Sequence, residues 1–282
     1  GSDAIGLVGD SYVVASMLPK SERPAAQLER AIDWRRQVYA FGGPGSSLLD
    51  YAERIRWAHQ TLKLRDFVVM LESPDASQVL CDSGNVHARC LEPGTLKPTT
   101  QRRPESGQLK DLLRSSALAQ YLNSQLLLSS ERLTRPDFWR SGIQVHASPA
   151  TASIPVLPAA HEGLDSRKQA VIDAAVDTFL AEVQELPDLR LVFVVDMNRR
   201  NLEPGIRRPD EGYHVALRLQ ARGYAVIRAE PLFRAHLSHS AQRLDMGPHD
   251  GHLNKIGVGL LMGATARTLK HHGFIDTTDR GN

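Results

Sequence analysis

The stretch that decides the fold is AIGLVGDSYV, residues 4–13. Its apolar run is too short for a buried helix and closes on Gly-Asp-Ser, which is typical of a central strand in a parallel sheet. The carboxyl end of such a strand lies at the rim of the sheet, where open α/β folds bind ligands. The hydroxyl of Ser11 is therefore the first candidate nucleophile, although a tight turn or a helix N-cap uses the same three residue types.

A second group of candidate residues stands near the other end of the chain, in HDGHLN, residues 249–254. A serine is a weak nucleophile until an imidazole accepts its proton, and that imidazole needs a carboxylate to hold its orientation. His252 and Asp250 supply this pair, so the sequence predicts a Ser11-His252-Asp250 triad. A metal site on His249, Asp250 and His252 is the alternative, but ligands so close in sequence rarely complete a tetrahedron.

A glycine-rich turn, FGGPGSS at residues 41–47, follows the second predicted strand. An amphipathic helix is predicted after it, over residues 46–64, with a serine as N-cap. A backbone N–H beside a helix N-terminus can stabilise a developing oxyanion. We assign this role to Gly45, with Gly43 as second choice; the same glycines also suit a plain strand-to-helix turn.

These three blocks, in this order, resemble the SGNH/GDSL hydrolase superfamily. The resemblance spans nearly the whole chain but rests on few residues. It implies a three-layer α/β/α, flavodoxin-like fold with a five-stranded parallel sheet, and an oxyanion hole formed by the N–H groups of Ser11 and Gly45. The Asp-x-His spacing is similar to that of SGNH-like O-acetyltransferases and esterases of bacterial exopolysaccharide systems.

The chain departs from the superfamily at the third block, where the usual Gly-x-Asn-Asp is replaced by ESPD, residues 72–75. Aligning on Asp75 puts Pro74 at the position of the asparagine whose side chain donates to the oxyanion. Proline has neither a side-chain donor nor an N–H. Another group must supply this donor or activity is weak, altered or lost, and the candidates are Ser73, Ser77 and an asparagine from elsewhere in the fold.

A long, mainly helical insertion is expected after the third strand, over residues 76–188, within a single domain spanning residues 1–282. Its length and its place beyond a strand end indicate a lid or a substrate wall. Strands and helices alternate outside it, which favours a parallel sheet covered on both faces. The predicted elements are helices over 25–36, 109–128, 165–186, 210–222 and 254–269, strands over 37–41, 66–71, 189–197 and 224–228, and a loop over 231–248.

Several side chains in the insertion have ordinary explanations. His87, His146 and His161 are interpreted as surface histidines, while Phe138 and Trp139 fit either a sugar-stacking platform or core packing.

The two cysteines, Cys81 and Cys90, lie in one polar loop. Their closeness favours a disulfide, which indicates an oxidising compartment. Two free thiols are one alternative, and a metal site with His87 is another, although such a site lacks a fourth ligand.

The charge balance gives no sign of a nucleic-acid partner. The chain has 34 Lys and Arg against 32 Asp and Glu, and the pairs Arg199-Arg200 and Arg207-Arg208 are interpreted as solvated loop charges. No apolar run reaches the roughly 18 residues of a membrane-spanning helix. The leading Gly1-Ser2 resembles an expression remnant, so we expect a membrane anchor or a partner domain upstream.

The resemblance implies serine-dependent acyl-ester chemistry, as an O-acetyl esterase or O-acetyltransferase, on a carbohydrate. An extracytoplasmic polysaccharide in the bacterial periplasm is the expected substrate. No cofactor and no metal are implied, and the oligomeric state is left open. Two alternatives remain: a weak or inactive SGNH-like carbohydrate-binding module in polysaccharide assembly, which Pro74 favours, and a lipid esterase or thioesterase.

Overall fold

A computed structural model describes residues 3–83, 89–101, 163–203, 206, 208–247 and 250–275. Within these ranges a parallel sheet lies between two layers of helices, which confirms the predicted α/β class. The predictions that fall outside the described residues concern the helix over 109–128, His87, His146, His161, Phe138, Trp139 and His249.

The strands are β1 (Ile5–Gly9), β2 (Val38–Gly42), β3 (Asp66–Leu71), β4 (Arg89–Leu91), β5 (Pro98–Thr100), β6 (Arg190–Val195) and β7 (Ala225–Arg228). Five of them form one parallel sheet in the order β2-β1-β3-β6-β7, which is the predicted flavodoxin-like order. The short strands β4 and β5 form a separate antiparallel hairpin that the sequence analysis did not predict. All five parallel strands therefore end at one edge of the sheet.

The helices are α1 (Ser11–Val14), α2 (Pro24–Ala31), α3 (Leu48–Leu62), α4 (Ser166–Gln184), α5 (Glu211–Ala221), α6 (Ala229–His239) and α7 (Lys255–His271). Short 3₁₀ turns cover Lys20–Glu22, Ser77–Val79 and Arg199–Leu202. Helices α3, α4 and α5 contribute to the apolar cluster on one face of the sheet. Helices α2, α6 and α7 contribute to the cluster on the other face.

Strand β1 is buried on both faces, as its unbroken apolar sequence requires. Ile5 and Leu7 belong to the cluster that contains α7, and Val8 belongs to the cluster that contains α3. At Gly6 a Cβ atom would lie 2.4 Å from the ring of Phe67, so only glycine lets that ring pack directly on the strand. Strand β1, and with it the turn at residues 10 and 11, is fixed by packing from both sides.

Two predicted element boundaries are wrong. Residues 231–248 were predicted as loop, but residues 231–239 belong to α6. Pro231 is the third residue of that helix, where its missing N–H has no intrahelical acceptor to lose, and Phe233 is fully buried. The helix predicted over 25–36 ends at Ala31, and the chain then turns through Asp33 and Trp34, both at positive φ.

The helix assigned to the end of the insertion is a crossover helix of the sheet. α4 joins the parallel neighbours β3 and β6, and Val176 and Phe179 are buried in the core beneath it. A parallel strand pair needs such a crossover, so this helix belongs to the basic fold. The expected insertion, residues 76–188, therefore ends before Ser166, and its membership of a single domain remains a prediction.

Cys81 and Cys90 form a disulfide. The bond ties the end of the Ser77–Val79 turn to β4, and Cys90 is fully buried. Both sulfur atoms are used, which leaves neither for the alternative metal site with His87.

Among the helices of the described ranges, none is both long enough and apolar enough to cross a bilayer.

Replacing both cysteines, Cys81→Ser with Cys90→Ser, is expected to lower the free energy of unfolding by about 2–3 kcal/mol. The disulfide closes a short loop, nine residues in sequence separation, and removes that loop's entropy from the unfolded chain. Urea unfolding of both proteins measures the difference, and reductant should reproduce it in the wild type while leaving the variant unchanged. Two titratable thiols in native, unreduced wild type would contradict the pairing.

Candidate active site

Ser11 is placed by the junction of β1 and α1, at the carboxyl edge of the sheet. The N-cap of the short helix is Asp10, whose Oδ1 accepts a hydrogen bond from the Tyr12 N–H at 2.8 Å. At Gly9 a Cβ atom would lie 2.7 Å from the carbonyl oxygen of Met70, so glycine allows β3 to approach the turn closely. Because Asp10 does the capping, the half-buried hydroxyl of Ser11 is left for another partner.

That partner is the imidazole of His252. Ser11 Oγ lies 2.9 Å from His252 Nε2, and His252 Nδ1 lies 2.6 Å from Asp250 Oδ1. The side chains of His252 and Asp250 are 32% and 45% exposed, so the group opens to solvent. The fold thus joins a hydroxyl from the opening strand to an imidazole that follows it by 241 residues.

Hydrogen bonding determines which way the protons point. Ser11 Oγ also lies 3.1 Å from Asp10 Oδ2, but it has only one proton and the imidazole is closer. Partial burial acts to raise the pKa of Asp250, but the backbone N–H and the ring of His252 both donate to its carboxylate, and the net pKa lies below the ordinary value. Asp250 is therefore ionised and accepts the Nδ1 proton, which leaves Nε2 able to accept from Ser11. With both ring nitrogens engaged, His252 has none left for the alternative metal site.

The loop that carries Asp250 and His252 is folded back on the residues that follow α6. Met246 N–H donates to the His252 carbonyl at 2.9 Å, and Asn254 N–H donates to the Leu244 carbonyl at 2.8 Å. Asn254 also caps α7, since its side chain accepts from the first N–H groups of that helix. The helix start and the loop are therefore fixed together.

The two candidate oxyanion glycines differ in whether their backbone N–H is already used in the glycine-rich turn. The Gly43 N–H donates to the Gly9 carbonyl at 3.2 Å, so this group is already used. Gly45 has φ +71°, and within the described ranges its N–H has no protein acceptor. Arg54 braces the turn by donating to the Gly9 carbonyl and to Ser46 Oγ, each at 2.9 Å. This arrangement favours Gly45 over Gly43 for the predicted role.

The third block offers no replacement for the missing asparagine among the two serines considered. Ser73 Oγ donates to Asp210 Oδ1 and accepts from the Gly212 N–H, both at 3.2 Å. Ser77 Oγ donates to the Pro74 carbonyl at 3.2 Å. Both hydroxyls are therefore engaged in holding the local backbone, and Pro74 itself has no donor.

Asp75 lies beneath this block as a fully buried structural residue. Its Oδ2 accepts from the Tyr51 hydroxyl at 2.9 Å and from the Glu72 N–H at 2.8 Å. Burial raises the pKa of the Asp75 carboxyl well above its usual range. This aspartate stabilises the turn after β3 rather than facing substrate.

Glu72 is a residue near the site that the sequence analysis did not single out. Its pKa is raised to about 7 by burial and by the neighbouring carboxylates of Asp10 and Asp196, and the Tyr12 hydroxyl lies 3.3 Å from its Oε1. Carboxylate oxygens of Asp10, Glu72 and Asp75 lie within 4.8 Å of one another, which is the spacing of a cation site. The Asp75 oxygen accepts hydrogen bonds from protein donors, so hydrogen bonding within the protein also explains why these carboxyl groups lie so close together.

The interpretation of the Arg199-Arg200 pair as solvated loop charges is wrong for Arg199. Its side chain is only 13% exposed and forms an ion pair with Asp196, which is buried at the end of β6. Burial raises the pKa of Asp196 to about 6, while the Arg199 charge acts in the opposite direction. The acidic residue three positions before Arg199, directly after a buried strand, was the signal available in the sequence.

Comparisons with known proteins find similar structures but no similar sequence among curated proteins. No protein-family model matches the chain, and no curated protein sequence does either. Among solved structures, a protein from Bacillus subtilis aligns at TM-score 0.51 and 12% identity, over 97% of this chain and 57% of that one. A lipolytic G-D-S-L family member from Veillonella parvula aligns at TM-score 0.46 and 12% identity, over 95% of this chain and 98% of that one. The lipase/acylhydrolase from Enterococcus faecalis aligns at TM-score 0.47 and 13% identity, over 98% and 99%.

Likeness at these identities concerns the fold. The strand order, the serine after the first strand and the Asp-x-His before the last helix agree with the resemblance found in the sequence. The parallel five-stranded sheet between two layers of helices is the fold that this resemblance predicts.

Replacing Glu72 with glutamine is expected to change how stability depends on pH. A carboxyl group with a raised pKa favours the folded state at low pH, and that contribution is lost as pH rises from the ordinary 4.5 to about 7. The Glu72→Gln protein should therefore gain stability relative to wild type across this window, by about 3 kcal/mol at its upper end. Urea unfolding at several pH values measures the difference, with Glu53→Gln on exposed α3 surface controlling for loss of a charge. Parallel curves for wild type and Glu72→Gln would contradict the prediction.

Proposed function

We propose that this protein cleaves acyl esters with Ser11 as nucleophile, His252 as general base and Asp250 as the group that orients the imidazole. The observation that carries the proposal is the pair of hydrogen bonds that links the three side chains, 2.9 Å from Ser11 to His252 and 2.6 Å from His252 to Asp250. Both distances lie within the range that proton transfer to a base requires. The SGNH/GDSL fold supports the same class of reaction by analogy.

The proposed reaction has two halves. In the first half, His252 Nε2 accepts the Ser11 proton as Oγ attacks the ester carbonyl, and the collapsing intermediate expels an alcohol that takes the proton from the imidazolium. In the second half, water or a sugar hydroxyl gives its proton to His252 and attacks the acyl-enzyme. The bond from the acyl carbon to Ser11 Oγ then breaks, Oγ takes the proton back from the imidazolium, and the acid or the transferred ester is released. Asp250 stays ionised throughout.

The oxyanion of each intermediate is proposed to bind the backbone N–H groups of Ser11 and Gly45. Loss of one oxyanion donor typically lowers turnover roughly 100- to 1000-fold. With Pro74 at the asparagine position, we expect turnover below that of a site with all three donors.

The proposed substrate is a carbohydrate that carries a small acyl group, acetyl in the simplest case. The Asp250-x-His252 spacing supports this choice through its similarity to O-acetyltransferases and esterases of bacterial exopolysaccharide systems. We also propose an extracytoplasmic, periplasmic location, which the disulfide between Cys81 and Cys90 supports because such bonds persist in oxidising compartments.

A second candidate function follows from Pro74. A protein that binds carbohydrate without turnover needs no oxyanion donor at this position. Carbohydrate binding that is unaffected by Ser11→Ala, with no Ser11-dependent hydrolysis, would select this alternative.

The first test of the proposal is hydrolysis of p-nitrophenyl acetate. Ser11→Ala and His252→Ala are each expected to lower kcat at least roughly 1000-fold, and Asp250→Asn roughly 100- to 10,000-fold, because the three groups act as a unit. Ser16→Ala, which changes an exposed serine five positions later, is the matched control and should keep wild-type rates. Equal rates for wild type and Ser11→Ala would exclude Ser11 as the nucleophile.

The second test is an acyl-length series of p-nitrophenyl esters from acetyl to dodecanoyl. We expect kcat/KM to be highest for acetyl and to fall as the chain lengthens, because the proposed substrate carries a small acyl group. A maximum at long chains would instead identify a lipid esterase or thioesterase.

A further inference from the structure

Arg199 makes contacts that connect three elements around the proposed triad. Its Nη2 donates both to the Tyr12 hydroxyl, at 2.7 Å, and to the carbonyl of Gly251. Gly251 is the residue between Asp250 and His252. We propose that Arg199 is a positioning residue that holds the Asp250–His252 loop against Ser11. This inference rests on the proposed function of that site.

The Gly251 carbonyl receives two donors on one oxygen. The Tyr12 hydroxyl donates to it at 2.9 Å, and the Arg199 guanidinium, itself hydrogen-bonded to that hydroxyl, donates to it as well. Tyr12 is adjacent to Ser11 in sequence, so the nucleophile and the loop share this hydroxyl as a common contact. The Tyr12 ring also lies 5.2 Å from the His252 ring, centroid to centroid. A shift of Gly251 would therefore move the adjacent imidazole of His252 relative to Ser11.

The Arg199 guanidinium also contacts two carboxylates and an aromatic ring. Nη1 donates to Asp196, whose side chain is 1% exposed and whose backbone lies directly after β6. Nε lies 2.8 Å from Asp245 Oδ1, an ion pair whose alignment is not that of a hydrogen bond. The guanidinium carbon also lies 5.5 Å from the centre of the Tyr12 ring. Arg199 thus links the end of strand β6, through Asp196, to the exposed loop at Gly251.

The shape of this contact requires arginine. One planar guanidinium reaches a carboxylate through Nη1 and a hydroxyl and a carbonyl through Nη2, whereas the ammonium group of lysine is a single point charge. Gly251 is exposed, and Asp250 and His252 on either side of it are only partly buried. Without the guanidinium, the Gly251 carbonyl would keep only the Tyr12 hydroxyl.

A purely structural role for Arg199 would be to neutralise the buried Asp196. The two roles make different predictions, because neutralising a charge affects the whole fold whereas positioning the loop affects only the triad. Arg190, at the other end of β6, provides a matched control. It pairs with Asp66, donates to the Gly273 carbonyl at 3.0 Å and lies over the Phe274 ring, all at the opposite edge of the sheet.

The kinetic experiment compares Arg199→Lys, Arg199→Ala and Arg190→Ala with wild type on p-nitrophenyl acetate, below the melting temperature of each. Both Arg199 variants are expected to lose about 10- to 100-fold in kcat with KM changed less than about twofold, because misplaced catalytic groups slow chemistry rather than binding. Guanidinium chloride, far below unfolding concentrations, should raise kcat part of the way back in Arg199→Ala. It should leave kcat of Arg190→Ala unchanged. Wild-type kcat in folded Arg199→Ala would overturn the proposal.

A double variant removes the structural explanation. Arg199→Met with Asp196→Asn leaves no unpaired buried carboxylate, so we expect its melting temperature to recover relative to Arg199→Met alone. Its kcat should stay as low as that of Arg199→Met. Recovery of kcat together with the melting temperature would show that Arg199 acts only through stability and would overturn the proposal.

A readout without turnover separates this inference from the proposed function. The proton shared by His252 Nδ1 and Asp250 should give a far-downfield proton NMR signal in wild type and Arg190→Ala, absent from His252→Ala. We expect the signal to be lost in Arg199→Ala and retained in Arg190→Ala. A signal unchanged in Arg199→Ala would overturn the positioning role, whereas absence of Ser11-dependent hydrolysis in wild type would overturn only the proposed function.

Discussion

The candidate site depends on one hydrogen bond between the two ends of the chain, from Ser11 Oγ to His252 Nε2. The parallel sheet makes this contact attainable, because every strand of the sheet ends at the same edge and β1 is fixed by packing on both faces. The imidazole reaches that edge because its loop runs directly into α7, whose start is capped by Asn254. Displacing either end would leave a hydroxyl with no base beside it.

Four carboxyl groups lie close to one another near this hydrogen bond. Asp10, Glu72, Asp75 and Asp196 lie around the strand ends, and burial raises the pKa of the last three. The Arg199 guanidinium lies beside them and forms an ion pair with Asp196. Burying so many carboxyl groups is tolerable only because some hold their protons near neutral pH and the others accept several hydrogen bonds. The polar layer is therefore a continuous network between the core strands and the surface that carries the triad.

Features that depend on short stretches could be predicted from the sequence. Apolar runs bounded by turn residues located β1, β3, β6 and β7, and Gly-Asp-Ser with Asp-x-His located the side chains that the fold brings together. Helix α6 was missed although Pro231 lies in its first turn, where a proline costs little. The role of α4 as a crossover was missed because its length of chain was counted with the insertion.

Features that depend on tertiary approach could not be predicted. Glu72 looks like an ordinary surface charge in the sequence, and the spacing of Asp196 and Arg199 indicates at most an ion pair. Only the convergence of β1, β3 and β6 brings both Glu72 and Arg199 beside Tyr12. The choice between Gly43 and Gly45 also required coordinates, because the hydrogen bond to Gly9 that occupies the Gly43 N–H crosses between two strand ends.

The most direct test of the central claim is covalent labelling with a fluorophosphonate, which bonds to an activated serine oxygen as fluoride leaves. Peptide mapping by mass spectrometry should place the adduct on Ser11 in wild type, and His252→Ala should label far more slowly. Labelling at another residue, or equal labelling rates with and without the imidazole, would contradict the account.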